Sequence, residues 1–476
     1  MTYQVSKPRD ACGVFGIYTN EVSPATAKTV YYALYALQHR GQESAGIAIK
    51  NGDTVICHKD MGLVPEVFNN LILSQLSGNI AIGHVRYSTT GGSDISNAQP
   101  MVLRYKNGNM ALAHNGNLVN AAAMRLELEA QGCIFQSTND TEVIANLISR
   151  YRVTSTDIVD TLQKVICDIE GSYALVLITP KRLIGIRDPY GIRPLCIGRS
   201  ENAFFLASES CAFDAVDATF IRDVEPGEIV LIGENGIESV MPEKKEKSHL
   251  CIFEHVYFAR PDSIIDGAGV SKTRIQSGVQ LAKEYPSEAD VVVGVPDGGM
   301  DAALGYSRES GIPFGYGLIR NKYTGRTFIQ PEQTLRDIGV RTKFNCIRSE
   351  IEGKRVVLVD DSIVRGTTTK QIVQMLRDAG AREVHMRISS PPYKYPCYFG
   401  IDTSTKKQLV ASKNSVAAIC RLIGADTLGY LSLEGLLSSP EHSRSEFCIS
   451  CFTGKYPIDI HEESKACRVS QEKKNE

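Results

Sequence analysis

The chain has 476 residues, of which 43% are hydrophobic and 22% charged, and its formal net charge is −2. This length allows two or three domains of ordinary size. The near-neutral charge, without a long Lys/Arg block, argues against nucleic acid or an anionic membrane as a partner. Apolar runs such as residues 175–178 and 291–293 are strand-sized and far too short to span a bilayer.

The N-terminal segment bears on the cellular compartment. Residues 1–11, MTYQVSKPRDA, are polar and lack the apolar stretch of a secretory signal. The chain contains 13 cysteines, which would suggest disulfides in a small secreted protein. Because this chain is large and carries no export signal, we expect a reducing, cytoplasmic location. Its cysteines are then expected to be buried, catalytic or metal-bound.

The first half alternates strand-like segments with two helical ones. Strand character is found in residues 12–18, 47–50, 79–88 and 109–116, and short strands continue over residues 172–209. Helical spacing is found in residues 25–39 and 118–132, the second ending at a glycine where a C-cap is expected. Strands enclosed by helices predict a four-layer αββα arrangement.

The character of the sequence changes near residue 240. Residues 241–249, MPEKKEKSH, are polar and charged, and they are the expected crossover between domains. Beyond them, apolar β-branched runs alternate with amphipathic helices, which is typical of a doubly wound parallel sheet. We therefore predict one domain over 12–240, a second over 250–460 and a polar tail over 461–476.

Cys12 is the first candidate for chemistry. A cysteine next to glycine in a strand is usually a small core residue. Removal of residues 1–11 would, however, give Cys12 a free α-amino group, whose pKa near ~8 lets it act as the base for the thiol. No separate His–Asp pair is then needed.

Three downstream segments could complete a site for glutamine hydrolysis. Arg86 could clamp the substrate carboxylate, and Asn115 with the Gly116 N–H could stabilise an oxyanion. Asp140, at the start of a helix, could receive the substrate ammonium. Each has a simpler interpretation: Arg86 as a surface salt bridge, Asn115–Gly116 as a hairpin turn, and Asp140 as an N-cap.

Together with the segment LQHRGQESAGIA at 37–48, these motifs resemble the glutaminase domain of N-terminal-nucleophile amidotransferases over roughly residues 12–240. The resemblance implies a propeptide over residues 1–11. It also implies a nucleophile, an active-site Arg–Gly pair, a carboxylate clamp, oxyanion donors and an ammonium partner. Carried over residue by residue, these are Cys12, Arg40 and Gly41, Arg86, Asn115 and Gly116, and Asp140.

The segment KRVVLVDDSIVRGTTTKQIV at 354–373 is the strongest local signal. A buried strand ends in Asp360 and Asp361, where ligands bind in open α/β sheets. A Gly/Thr loop then opens into a helix, and its N–H groups and hydroxyls can cradle a phosphate. The simpler interpretation is an acidic strand end before a capped helix. The spacing resembles the motif of type I phosphoribosyltransferases, which implies a phosphate-binding loop of Arg365, Gly366, Thr367, Thr368 and Thr369.

Two further segments support that resemblance. Residues 292–303 form a second strand–loop–helix, whose glycines would let the backbone approach a pyrophosphate. Residues 317–331 are basic, and the equivalent family segment is a flap that closes over the pyrophosphate and keeps water from the reacting carbon. The flap carries Arg320, Lys322, Tyr323 and Arg326, with arginine and lysine exchanged relative to the usual family order.

The pyrophosphate loop departs from the family pattern. Related enzymes often carry a hydroxyl residue there, whereas this chain has glycine at 298 and 299. Mg²⁺ usually takes only one or two protein carboxylates together with substrate oxygens. We therefore expect Asp360, Asp361 and the substrate to hold one Mg²⁺ per active site, with water or a backbone carbonyl near Gly298.

In combination, the two halves resemble the glutamine phosphoribosylpyrophosphate amidotransferase family over about residues 1–460. The resemblance implies amination of phosphoribosyl pyrophosphate by glutamine, an internal ammonia path, a homotetramer and inhibition by purine nucleotides. A different glutamine amidotransferase, making an amino sugar or asparagine, would not need the phosphoribosyl motif. A ligand-sensing regulator on the same fold would not need the glutaminase residues.

Four cysteines in the second half suggest a metal centre. Cys448 and Cys451 have the C-x-x-C spacing of redox, zinc or iron–sulfur sites. Cys251 and Cys397 lie in aromatic and Pro-rich surroundings. The positions resemble the ligands of a 4Fe–4S cluster in the propeptide-bearing subgroup of the family, and a Cys₄ zinc site is the alternative.

Overall fold

The computed structural model describes residues 12–87, 92–105, 108–321, 343–401, 406–441, 443 and 446–460. The strands of the first half are β1 (Gly13–Ser23), β2 (Ser44–Asn51), β3 (Thr54–Met61), β4 (Gly78–Arg86), β5 (Met101–Tyr105), β6 (Gly108–Leu118), β7 (Gly171–Ile178), β8 (Leu183–Arg187), β9 (Cys196–Arg199), β10 (Ala203–Ala207), β11 (Thr219–Asp223), β12 (Ile229–Gly233) and β13 (Gly236–Val240). Its helices are α1 (Ala25–Ala36), α2 (Val64–Val67), α3 (Asn70–Gln75), α4 (Ala121–Ala130), α5 (Thr141–Tyr151), α6 (Ile158–Asp168) and α7 (Cys211–Asp214), with a 3₁₀ turn at Ile95–Asn97.

The first half consists of two antiparallel sheets packed face to face. One has the strand order β11-β9-β10-β1-β4-β2-β3, and the other has the order β13-β12-β8-β7-β6-β5. Apolar side chains from both sheets, including Val14, Ile82, Ala113 and Val176, form the core between them. Helix α1 packs on the outer face of the first sheet, and α5 and α6 pack on the outer face of the second. The four-layer arrangement predicted from the sequence is confirmed.

Helix α1 illustrates how local sequence produces one of these layers. Ala27, Val30 and Leu34 recur at helical spacing, and all three are fully buried. Opposite them, β4 carries Gly83, where an added Cβ would lie 2.5 Å from the Val30 side chain. The absence of a side chain at this position therefore lets the helix pack closely on the sheet. The helix ends at Ala36 rather than at residue 39, because the chain turns sharply before β2.

The second half contains shorter elements. Its strands are β14 (His249–Cys251), β15 (Ile264–Ile265), β16 (Ala268–Gly269), β17 (Val291–Gly294), β18 (Leu318–Arg320), β19 (Phe344–Cys346), β20 (Arg355–Asp360), β21 (Glu383–Ile388), β22 (Thr427–Tyr430) and β23 (Glu446–Cys448). Its helices are α8 (Val270–Glu284), α9 (Met300–Ser310), α10 (Arg348–Ile351), α11 (Thr367–Asp378), α12 (Val410–Lys413), α13 (Val416–Ile423), α14 (Leu433–Leu437) and α15 (Ser450–Thr453), with a π-helical turn at Glu254–Phe258.

A parallel sheet of order β17-β20-β21-β22 forms the centre of this half. On β20, Val357 and Val359 belong to the apolar core on one face, and Val356 and Leu358 belong to the core on the other. Both faces are therefore covered, which is why the strand reads as a continuous apolar run. The parallel sheet predicted for the second half is confirmed. The domain boundaries at 240 and 250 stay predictions.

The two halves pack against each other through buried contacts. Val119 and Ile192 of the first half belong to the same apolar core as Phe253 of the second. None of the helices in the described ranges combines the length and apolar character that crossing a bilayer requires.

Candidate active sites

Cys12 lies immediately before β1 and is 6% exposed. Its thiol donates to the Tyr87 carbonyl over 3.3 Å, and the Tyr87 N–H donates to its sulfur over 3.4 Å. Burial raises the pKa of the Cys12 thiol, although the hydrogen bond with Tyr87 and the positive charge of Arg86 act to lower it. The thiol is therefore protonated near neutral pH, and nucleophilic attack would require a base.

Arg40 and Gly41 lie in the turn between α1 and β2. The Arg40 side chain is fully buried, and its Nε donates to the carbonyl oxygen of Cys12 over 3.1 Å. A Cβ at Gly41 would lie 2.6 Å from the backbone of Val85, so the close approach of this turn to β4 requires glycine. The structure thus brings the Arg–Gly pair predicted from the sequence directly against Cys12.

Arg86, at the end of β4, is 2% exposed. Its Nη1 donates to Glu43 Oε1 over 2.6 Å and to the Gly92 carbonyl over 3.2 Å. Because Arg86 is buried and Glu43 is only 14% exposed, the pair is not the surface salt bridge of the alternative interpretation. A substrate carboxylate bound at Arg86 would share the guanidinium with Glu43.

Asn115 and Gly116 lie within the continuous strand β6, so the alternative of a hairpin turn is excluded. The Asn115 side chain is fully buried, and neither its Nδ2 nor its Oδ1 has a hydrogen-bond partner among the described residues. Buried amides are usually paired, because an unpaired one is costly. Gly116 has a φ of 151°, and a Cβ there would lie 2.0 Å from the Ser172 carbonyl oxygen. The Asn115 amide, which has no described hydrogen-bond partner, therefore lies next to backbone at residue 116 that tolerates only glycine.

Asp140 occupies the N-cap position of α5, but its side chain makes no capping hydrogen bond. Its Oδ2 accepts from the Leu118 N–H over 2.9 Å, and its Oδ1 lies 3.5 Å from His114 Nδ1. Burial acts to raise the pKa of Asp140, but His114 and the backbone N–H groups of Leu118 and Thr141 outweigh it and lower the pKa. The carboxylate is thus charged, and His114 connects it to the strand that carries Asn115.

Asp360 and Asp361 lie at the carboxyl end of β20 and are 1% and 0% exposed. The Asp361 N–H donates to Asp360 Oδ1 over 2.9 Å, and Ser362 donates to Asp361 Oδ1 over 2.6 Å. Gly366 follows with a φ of 82°, and α11 begins at Thr367. Arg365 and Gly366 therefore lead into the N-terminus of α11, whose first turn contains Thr367, Thr368 and Thr369, and this arrangement suits an anion.

The loop between β17 and α9 lies directly on this acidic pair. A Cβ at Gly298 would lie 2.1 Å from Asp361 Oδ2, and one at Gly299 would lie 2.3 Å from the Val359 carbonyl oxygen. A serine at 298 would thus displace the Asp361 carboxylate rather than fill open space near it. Arg320, at the end of β18, forms an ion pair with Asp297 in the loop between β17 and α9. Lys322, Tyr323 and Arg326 lie outside the described residues.

The four cysteines predicted to bind metal are all buried and belong to one apolar core. Cys251 on β14 pairs in parallel register with Cys448 on β23. Burial raises the pKa of the Cys448 thiol to about 11, and proximity to Cys397 contributes. Cys451 is likewise within electrostatic range of the other three. Within the described parts of the chain, no three His, Cys, Asp or Glu side chains surround a point that a single metal ion could occupy.

Sequence patterns did not identify three charged residues next to Arg40. Glu209, Glu254 and Arg193 are all fully buried, and both carboxylates form ion pairs with Arg40. Each interrupts an apolar segment, as Glu254 does in CIFEHVYF at 251–258. A charge within an apolar run is a signal, because buried charges need partners. That signal does not reveal which partner is used.

Comparison with known proteins matches both halves. A glutamine amidotransferase domain family matches residues 84–215, and a phosphoribosyl transferase domain family matches residues 269–389. The chain is 51% identical to an amidophosphoribosyltransferase of Archaeoglobus fulgidus, covering 96% of this chain and 100% of that protein. It is 49% identical to the amidophosphoribosyltransferase of Bacillus subtilis, covering 99% of both.

Solved structures agree with these relatives. The glutamine phosphoribosylpyrophosphate amidotransferase from B. subtilis, complexed with ADP and GMP, is similar with a TM-score of 0.89 and 49% identity, covering 95% of this chain and 98% of that one. A structure described as the allosteric regulatory enzyme of purine biosynthesis has a TM-score of 0.89 and 50% identity, covering 95% and 97%. The chain therefore belongs to the amidophosphoribosyltransferase family.

Proposed function

We propose that this chain divides the reaction of its family between two sites, one in each half. The chain is an enzyme of purine biosynthesis that uses glutamine to aminate phosphoribosyl pyrophosphate. The products are 5-phosphoribosylamine, glutamate and pyrophosphate. The observation that carries the assignment of the glutamine site is the buried amide of Asn115, which has no hydrogen-bond partner among the described residues and suits a donor reserved for a transition state.

In the glutamine half, Cys12 attacks the side-chain amide carbon, and its proton passes to the α-amino group exposed when residues 1–11 are removed. That proton leaves with the released ammonia, and water hydrolyses the resulting thioester to glutamate. Asn115 Nδ2 and the Gly116 N–H stabilise the oxyanion. Arg86 binds the α-carboxylate and Asp140 the α-ammonium. The raised pKa of the Cys12 thiol supports the need for a base.

Arg40 and Gly41 act beside the nucleophile. Arg40 holds the carbonyl of Cys12, and Gly41 allows the turn to lie against β4. Both keep the N-terminal residue in position for attack.

In the phosphoribosyl half, ammonia attacks C1 of the ribose and pyrophosphate leaves. Asp360 and Asp361 accept hydrogen bonds from the ribose hydroxyls. The loop of Arg365, Gly366, Thr367, Thr368 and Thr369 binds the 5′-phosphate at the N-terminus of α11. The basic segment at 317–331, which carries Arg320, Lys322, Tyr323 and Arg326, is proposed to cover the pyrophosphate.

We assign one Mg²⁺ per active site to Asp360 and Asp361. The two adjacent carboxylates beside the pyrophosphate loop supply the oxygen ligands that this ion prefers. A Mg²⁺ ion held there would supply positive charge to the pyrophosphate leaving group. The direct contact between Gly298 and Asp361 ties the position of the loop to that of the carboxylate.

We further propose that Cys251, Cys397, Cys448 and Cys451 hold a 4Fe–4S cluster. Their burial in one apolar core supports this, as does the parallel pairing that places Cys251 opposite Cys448. A Cys₄ zinc site is the alternative, and metal analysis of the purified protein distinguishes the two.

The remaining proposals concern regulation and assembly. The B. subtilis relative was solved with ADP and GMP, which supports inhibition of this enzyme by purine nucleotides. We propose a homotetramer in the cytoplasm, whose mature chain begins at Cys12.

The proposed function is tested by product stoichiometry. Purified enzyme with phosphoribosyl pyrophosphate, Mg²⁺ and glutamine is expected to release glutamate and pyrophosphate in equal amounts. Pyrophosphate release with ammonia in place of glutamine is expected to proceed without glutamate. Glutamate formation that never leads to pyrophosphate release would instead indicate a different amidotransferase, and no turnover of either substrate would indicate a ligand-sensing protein.

A further inference from the structure

A buried cluster of four charges, Arg40, Arg193, Glu209 and Glu254, lies where the two halves meet. Glu254 belongs to the turn Glu254–Phe258 at the start of the second half. Arg40 Nη1 donates to Glu254 Oε2 over 2.9 Å, and Nη2 donates to Oε1 over 2.8 Å. This two-point pairing fixes the orientation of the guanidinium relative to the carboxylate.

The same guanidinium reaches the nucleophile. Arg40 Nε donates to the Cys12 carbonyl oxygen over 3.1 Å. Because the guanidinium is planar and its N–H directions are fixed, the position of Glu254 determines where Nε points. Glu209 also accepts from Arg40, so a carboxylate from each half holds the one arginine. Glu254 is thus separated from the nucleophile by a single side chain.

A second chain of contacts leads from Glu254 to the oxyanion strand. Arg193 Nη1 donates to Glu254 Oε1 over 3.3 Å, and Arg193 Nη2 donates to the Phe399 carbonyl. The Phe399 carbonyl also accepts from Ser172 over 2.9 Å. At the next residue, Gly400, a Cβ would lie 3.1 Å from the Gly116 carbonyl carbon. The Glu254 carboxylate is therefore linked through Arg40 to Cys12, and through Arg193 to the segment behind Gly116.

From these contacts we infer that Glu254 is a positioning residue for the glutamine half-reaction, supplied by the phosphoribosyl half of the chain. It holds Arg40 against Cys12 and, through Arg193, supports the segment behind Gly116. The inference rests on the proposed function, because it requires Cys12 to be the nucleophile and Gly116 an oxyanion donor.

Glu254→Gln is the first test, because glutamine keeps the side-chain size while removing the charge. Small displacements of reacting groups cost up to about 100-fold in rate. We expect kcat for glutamine hydrolysis to fall roughly 10- to 100-fold. The KM for glutamine and the ammonia-dependent release of pyrophosphate are expected to stay within about twofold, because the side-chain hydrogen bonds of Glu254 given above go to Arg40 and Arg193, and not to the residues proposed to bind either substrate.

Asp266→Asn provides a matched control. Asp266 also belongs to the second half and pairs across the halves with buried Arg187, over 2.8 and 2.9 Å. Asparagine tolerates the φ of 46° at this position. Asp266 has no contact with Arg40 or Cys12 among its hydrogen bonds above, so its replacement is expected to change the two activities by the same factor. An equal loss of both activities in Glu254→Gln, or no loss of glutamine turnover, would overturn the inference.

Glu254→Asp provides a second test in case Glu254→Gln does not fold, because aspartate keeps the charge and withdraws the carboxylate by one methylene. We expect the same selective loss of glutamine turnover, smaller in size, and a non-selective loss would again count against positioning. Failure of the proposed function would be distinguishable, because the unsubstituted enzyme would then lack glutamine-dependent release of pyrophosphate.

Discussion

Replacing Asn115 by alanine separates the catalytic from the structural contribution of a buried amide. The side chain is fully buried, and its two polar atoms have no partner in the described parts of the chain. An amide buried in this way costs the fold about 1–3 kcal/mol. Relief of that penalty offsets the packing lost with the side chain. We therefore expect the free energy of unfolding of Asn115→Ala to lie within about 1 kcal/mol of that of the parent.

The catalytic effect of the same substitution is expected to be large. Loss of one oxyanion donor typically costs about 3–4 kcal/mol in the transition state. Accordingly, kcat for glutamine hydrolysis should fall roughly 100- to 1000-fold. Ammonia-dependent pyrophosphate release should not change, because Asn115 lies in the other half of the chain. Glutamate release, pyrophosphate release and urea unfolding on one preparation provide all three values.

Asn120→Ala is the control, because Asn120 uses its amide structurally. Its Nδ2 donates to the Asp168 carbonyl over 2.8 Å, and its Oδ1 accepts from the Glu170 N–H over 3.0 Å. Two hydrogen bonds at about 0.5–1.5 kcal/mol each predict a loss of about 1–3 kcal/mol in stability without a loss of glutamine turnover. If Asn115→Ala behaved like this control, the oxyanion role of Asn115 would be refuted.

Three further predictions concern pH, metal and the acidic pair. Burial lowers the pKa of His84 to about 3 in the folded protein, whereas its pKa in the unfolded chain is about 6.5. The unfolded state therefore binds the proton more readily, and stability declines as the pH falls below about 6.5. Between about pH 7 and pH 5 the free energy of unfolding of the parent should fall by about 2 kcal/mol more than that of His84→Gln, as measured by urea unfolding. An equal change with pH in the two proteins would contradict this. Cys448→Ser should reduce bound iron and sulfide and lower soluble yield, whereas stoichiometric zinc without iron would refute the cluster. Asp361→Asn should raise the Mg²⁺ concentration for half-maximal activity with either nitrogen source, and an unchanged titration would refute its place in the metal site.

Local motifs could be predicted from the sequence because their parts are close together along the chain. The strand ending at Asp360, the turn at Gly366 and the helix from Thr367 form one continuous segment, and the structure has all three where the pattern predicts them. The covering of β20 on both faces likewise follows from its apolar run.

Long-range partners could not be predicted in the same way. Arg40 and Glu254 are 214 residues apart, and no periodicity relates them. The contact of Gly298 with Asp361 depends on how β17 and β20 pair, which the loop sequence does not encode. Similarly, the pairing of Arg86 with Glu43 follows from the alignment of β2 with β4. These details arise from tertiary packing.

Glutamine hydrolysis and phosphoribosyl transfer are proposed to occupy separate sites, and the Cys12→Ala variant separates the two reactions. The measurement is pyrophosphate release by this variant with glutamine and then with ammonia. We expect release with glutamine to be abolished and release with ammonia to remain within about twofold of the parent, because the thiol is needed only for the first half-reaction. Loss of both activities in a folded variant, or retention of glutamine-dependent release, would contradict the account.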